Sequence, residues 1–183
     1  MNPSGLLDGD TIRRLLTEVA DELASGPQRT LIIVGGSLLA CHGLRDATHD
    51  VDSIRALDHE VRDAVQHVAQ RHRLTDKWLN DSARAFTPAT LDTADCEVLL
   101  DTPSLLVLGA ALHDVFLMKL ARADPADLAD MRAIWPHIRN RFPTAAAITA
   151  AFYAAYPLED RDPYLDAFIV DELARAGHQL PLT

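Results

Sequence analysis

Apolar residues recur at helical spacing over residues 10–24 (DTIRRLLTEVADELA), and Asp10 stands where an N-cap belongs. Gly26 and Pro27 end that helix. Residues 30–34 (TLIIV) are a short apolar run with β-branched side chains, which predicts a buried strand that Gly35 and Gly36 break. A short helix is predicted over 37–44, a strand over 49–55 and an amphipathic helix over 58–72. Residues 95–100 (DCEVLL) and 104–108 (SLLVL) predict two more strands, separated by Pro103. From about Ala111 the pattern turns helical: 111–122, 125–135, 144–155 and 163–176, punctuated by prolines at 125, 136, 143, 157 and 163. The predicted fold class is α+β. A small mixed sheet flanked by helices occupies 1–110, and a helical part packed on it occupies 111–183. A cleft between the two parts is the expected ligand site.

Composition narrows the class. Hydrophobic residues make up 48% of the 183 and charged residues 24%, so a packed core is expected rather than disorder. No apolar run reaches the roughly 18 residues of a membrane span, and no basic segment leads an apolar one at the start. A cytoplasmic protein without a membrane partner is expected. Cys41 and Cys96 lack CxxC spacing and read as buried free thiols. The formal charge of −10 disfavours a large, sequence-indifferent nucleic-acid surface. Arg62, Arg71, Arg73, Lys77 and Arg84 lie close in sequence and either line a local groove or form a solvated helix face.

Candidate chemistry concentrates in residues 31–54, LIIVGGSLLACHGLRDATHDVDSI. A strand runs into Gly35-Gly36-Ser37, a short helix follows, and a second strand carries Asp50-Val51-Asp52. Glycines let a backbone approach a phosphate because no Cβ intrudes. The N–H groups at the next helix start favour an anion, and the Ser37 hydroxyl adds a donor. Residues two apart on a strand share a face, so Asp50 and Asp52 project together while Val51 enters the core. Paired carboxylates suit Mg²⁺, which offsets charge on a leaving pyrophosphate. A lone GGS is usually a turn, and a lone DxD is usually a solvated edge. Their order, with twelve residues between Ser37 and Asp50, makes the combination specific.

This stretch resembles the signature of the DNA polymerase β-type nucleotidyltransferase superfamily, and within it the AbiEii/MenT-type toxin branch. The matching element is Arg45-Asp46-Ala47-Thr48-His49-Asp50-Val51-Asp52. Trp78-Leu79-Asn80-Asp81 is similar to a recurrent element of bacterial relatives, and FLMKLARADPADLADMRAI to a helical pair bearing Lys119 and Asp127, with Asp130 one turn on. The resemblance covers roughly 31–135. It implies Mg²⁺ on Asp50 and Asp52 and an NTP bound at Gly35, Gly36, Ser37, Arg45 and Thr48, with Arg45 neutralising phosphate or holding the carboxylates and Thr48 lining the metal site. It also implies that Lys119 contacts that triphosphate and that Asp127 positions it or acts as a base. Relatives place a third carboxylate on a later strand. Asp95, Glu97 and Asp101 are the candidates, with Glu97 foremost as a metal ligand; an edge glutamate facing solvent is the alternative. Lys119 in an apolar helix also needs an anion on physical grounds, either a phosphate or Asp127 or Asp130.

Three functions compete. The first is a toxin that transfers NMP to the tRNA 3′ acceptor end, checked by a cognate antitoxin protein. The second keeps the chemistry but modifies a protein hydroxyl. The third is a catalytically silent binding module. His42, His49 and His113 read as surface or core residues more readily than as catalysts. Trp78 is either a base-stacking ring or a core residue.

Overall fold

In the computed structural model, which describes residues 5–23 and 26–183, five strands form one mixed sheet. They are Arg29–Val34 (β1), Val51–Ser53 (β2), Leu79–Asn80 (β3), Glu97–Asp101 (β4) and Leu105–Gly109 (β5). Their order is β3-β2-β1-β5-β4. β1 runs parallel to β5 and antiparallel to β2, β2 runs parallel to β3, and β4 is antiparallel to β5. The α+β class expected from the pattern is what the chain adopts. The apolar run Leu31, Ile32 and Ile33 is at most 1% exposed. Burying each such side chain contributes about 1.5–3 kcal/mol.

The chain divides into two compact units, residues 1–87 with 93–111 and residues 88–92 with 112–183. The first holds the sheet with helices Gly9–Glu22 (α1), Gly35–Cys41 (α2) and His59–His72 (α3). α1 starts one residue before the expected stretch because Asp8, not Asp10, caps it. The Asp8 carboxylate accepts from the Thr11 N–H at 2.8 Å, a bond that holds the carboxyl below its usual range. The helix ends at Glu22 with Leu23 as its C-cap, and position 24 of the expected helix lies outside the described residues. α3 is capped by Asp58, which accepts from Val61, and closes on Arg73 in the left-handed region at φ 57°. The two helices are laced by charge. Glu18 meets His72 at 2.7 Å and Arg71 at 3.7 Å, and Glu22 meets His67 and Arg71.

The sequence pattern missed β3. Its two residues are too few for alternation to register, and only their pairing with β2, Val51 with Leu79 and Asp52 with Asn80, makes a strand. Trp78 leads into it. Its ring is 1% exposed and its indole N–H donates to the Val65 carbonyl at 3.1 Å, so it is a core residue rather than a stacking platform.

The second unit contains Leu112–Arg122 (α4), Pro125–Ile138 (α5), Ala145–Ala155 (α6) and Leu165–Ala174 (α7). Phe116 and Trp135 pack with ring centroids 6.0 Å apart. α5 runs past the expected stop and through Pro136 to Ile138. The buried Glu172 carboxylate is paired with Arg132 and Arg175. No helix of the described residues is long and apolar enough to cross a membrane.

Candidate functional site

Val34 leaves β1 in extended conformation and the chain turns at once into α2. Gly35 makes that turn possible, since its φ of +64° is one that L side chains rarely adopt. Across the β1–β2 pair, Val34 sits opposite Asp52, which brings the Asp52 carboxylate to the turn. One carboxylate oxygen lies 3.7 Å from where a Cβ on Gly35 would stand. Asp50 immediately precedes β2, two positions before Asp52. Both are half-buried, while Val51 between them is fully buried.

Two side chains from the loop before β2 close over the second glycine. A Cβ on Gly36 would meet the Thr48 hydroxyl at 3.0 Å and the Arg45 Nη1 at 3.2 Å. Arg45 also donates through Nε to the Ala47 carbonyl at 3.0 Å, which folds the guanidinium back along its own loop. The structure thus brings Gly35, Gly36, Arg45, Thr48 and Asp52 to one turn, with Asp50 on the adjoining stretch. The Asp52 carboxylate, a hydroxyl, a guanidinium and a backbone without Cβ atoms are groups whose chemistry suits a divalent cation and a polyphosphate.

Two expected members behave differently. Ser37 is 1% exposed, and its hydroxyl donates to the Val34 carbonyl at 2.9 Å. Its proton is spent inside the turn instead of facing outward, so the side chain shapes the glycine turn. Glu97 does not join Asp52. It lies on β4, at the sheet edge opposite β3, three strands from β2. Glu97 pairs with Gly109, Gly109 with Ile33, and Ile33 with Ser53, the neighbour of Asp52. Alternation therefore puts Glu97 and Asp52 on opposite faces, roughly 14 Å apart at about 4.8 Å per strand. The Glu97 carboxylate instead meets His42 Nε2 at 2.7 Å. Among the described residues, no three His, Cys, Asp or Glu side chains gather at one point.

The Glu97–His42 pair was invisible in the sequence, since 55 positions part its members and only the sheet joins them. The one available signal was Gly109, where a larger residue would strike Leu38 and Glu97. Beside it, burial pushes the Cys41 thiol above its ordinary range, and the Glu97 charge adds to the rise. Neither cysteine forms a disulfide, and both are half-buried rather than buried. Of the clustered cations, Arg62 and Arg84 face Asp81, and Arg71 faces Glu18 and Glu22, as members of solvated ion pairs. Asp81 also accepts from the Leu57 N–H at 3.2 Å, so the Trp78–Asp81 element anchors the chain beyond β2.

In the second unit, Lys119 is 7% exposed and its ammonium lies 2.6 Å from Asp127 and 2.8 Å from Asp130. The other Asp127 oxygen lies 3.2 Å from Arg122 Nε. The anion that burial demands of Lys119 is thus supplied by the two α5 carboxylates. His113 stands 3.7 Å from the buried Asp114. Burial, followed by the charges of Asp114 and Glu159, pushes the Tyr156 phenol well above its ordinary range.

A family model described as "Nucleotidyltransferase of unknown function (DUF6036)" matches residues 11–139, more than two thirds of the chain. No curated protein and no solved structure matches the chain.

Proposed function

The chain belongs to this family of nucleotidyltransferases, and from that premise we propose that it transfers NMP from an NTP to the tRNA 3′ acceptor end as the toxin of a toxin–antitoxin pair. The observation that carries the transfer chemistry is the convergence of Asp52, Thr48 and Arg45 on the Gly35–Gly36 turn. The toxin role, the tRNA acceptor and a cognate antitoxin rest on the resemblance of Arg45–Asp52 to the AbiEii/MenT-type branch.

In this reading Asp50 and Asp52 would hold Mg²⁺, whose preferred ligands are oxygens. When bound, the ion would supply charge neutralisation to the triphosphate and to the departing pyrophosphate. Thr48 donates its hydroxyl to a phosphate oxygen, and Arg45 offsets phosphate charge beside it. The bare Gly35–Gly36 backbone admits the phosphates to contact distance. The acceptor hydroxyl oxygen bonds to the α-phosphorus, the bond to the β-phosphate oxygen breaks, and the hydroxyl proton leaves to a carboxylate or to water. Lys119 and Asp127 are proposed to act on the triphosphate. A phosphate reaching Lys119 would compete with Asp127 and Asp130 for its ammonium.

A second acceptor, a protein hydroxyl, is favoured by one observation. The charge of −10 gives little attraction for a polyanion such as tRNA. One assay separates the acceptors. The protein is incubated with Mg²⁺, each labelled NTP and total tRNA, alone and with cell extract, and the reactions are repeated with Asp52→Ala. Label on tRNA that the variant abolishes supports the first acceptor, and label confined to protein supports the second. No label on any acceptor, with no nucleotide binding, overturns the enzymatic reading and leaves a silent binding module.

A further inference from the structure

We propose that Leu7 is a positioning residue for this site: its backbone clamps the loop that carries Arg45 and Thr48 over the glycine turn. The importance of that turn rests on the nucleotidyl-transfer reading above, but the clamp does not. The loop joins α2 to β2 and has no regular secondary structure of its own. It is held by a reciprocal pair of backbone hydrogen bonds. The Leu7 N–H donates to the Thr48 carbonyl at 2.7 Å, and the Thr48 N–H donates to the Leu7 carbonyl at 2.9 Å. Both lengths are in the range of well-formed bonds.

Leu7 is itself anchored. It is 2% exposed and immediately precedes Asp8, the cap of α1. Leu7 and the fully buried Ile12 occupy the two positions at which a hydrophobic staple forms across a helix start. A rigid path therefore runs from α1 through Leu7 to Thr48, whose hydroxyl borders Gly36. The Gly5–Asp8 segment also lines a cavity of about 340 Å³ with Leu15, His72 and Arg73. Leu7 lies ahead of the 11–139 match, while its partner Thr48 lies within it.

The test uses the full chain. Leu7→Pro removes one clamp donor, while Leu7→Ala keeps both backbone groups of the clamp but removes the buried side chain that holds them in place. Leu7→Pro is expected to lower kcat about ten- to hundredfold, the range for displaced positioning groups, when assayed well below its thermal midpoint, which falls because the buried Leu7 side chain is lost. In a background carrying both Arg45→Ala and Thr48→Ala the same change is expected to cost about twofold or less, because the groups it positions are gone. Additive losses in the two backgrounds overturn the proposal, as does full activity of Leu7→Pro. Amide hydrogen exchange gives a readout that needs neither catalysis nor a folded proline variant. The Leu7 and Thr48 amides of the unmodified protein are expected to be protected and to lose protection together in Leu7→Ala. An unprotected Thr48 amide overturns the clamp. Protection of both amides in a protein that labels no acceptor and binds no nucleotide would sink the enzymatic reading alone.

Discussion

Gly36→Ala separates stability from activity at the glycine turn. Gly36 lies in the first turn of α2 and does not take a positive φ, so its backbone accepts alanine. Helix propensity then favours the change by about 0.5–1 kcal/mol. Against this, the new Cβ would stand 3.0 Å from the Thr48 hydroxyl oxygen, 3.2 Å from Arg45 Nη1 and 3.4 Å from Thr48 Cβ. Optimal separations begin near 3.5 Å, so Thr48 and Arg45 must withdraw by a few tenths of an ångström. Overpacking of that size costs about 1–3 kcal/mol, and the propensity gain offsets part of it. The expected net loss of stability is about 0–2.5 kcal/mol. Catalysis has no such compensation, because the withdrawn groups are the proposed phosphate contacts. Nucleotidyl transfer is expected to fall about ten- to hundredfold. Gly35→Ala is the contrast. Its φ of +64° makes alanine cost about 1–2 kcal/mol, yet the nearest atom to its Cβ is an Asp52 oxygen at 3.7 Å, an ordinary contact. Urea denaturation and steady-state NTP transfer by both variants form the assay. Full activity in Gly36→Ala, at parental stability, would refute the assignment of Thr48 and Arg45 to the site.

Two further outcomes are expected from the helical unit. Lys119→Met leaves Asp127 and Asp130 buried without their ammonium, which is expected to cost about 3–5 kcal/mol in urea unfolding. Restoring neutrality with Asp127→Asn and Asp130→Asn in the same chain should recover part of the loss, and a loss below about 1 kcal/mol would contradict the triad. Tyr156 sets a limit at high pH. Its folded value is raised by burial, then by Asp114 and Glu159, so the stability it supports is fully present below the unfolded value near 10 and declines as pH rises beyond it. Phenolate absorbance should show a phenol still protonated above pH 10 in the folded protein and absent from Tyr156→Phe. Identical titrations of the two proteins would count against the buried phenol.

Local pattern was enough to locate most elements of this protein. The apolar run at 30–34, the glycines after it and the helical periodicity from 111 onward each depend on residues within one turn or one strand, and such rules are written in sequence. The Gly35–Asp52 arrangement was legible for the same reason, because a single hairpin-like excursion carries all its members. What sequence could not decide was set by pairing between distant segments. The two-residue β3 exists only because β2 offers it a ladder, and Trp78 is core because Val65 accepts its indole proton. Ser37 turned inward because the Val34 carbonyl lay within reach at the end of β1. Glu97 looked like a third carboxylate from its place on a late strand. Strand order and pleat, which no local rule specifies, put it on the other face beside His42. The Leu7–Thr48 clamp belongs to the same class. Its two residues carry no mark of each other, and only folding brings their backbones within hydrogen-bond distance.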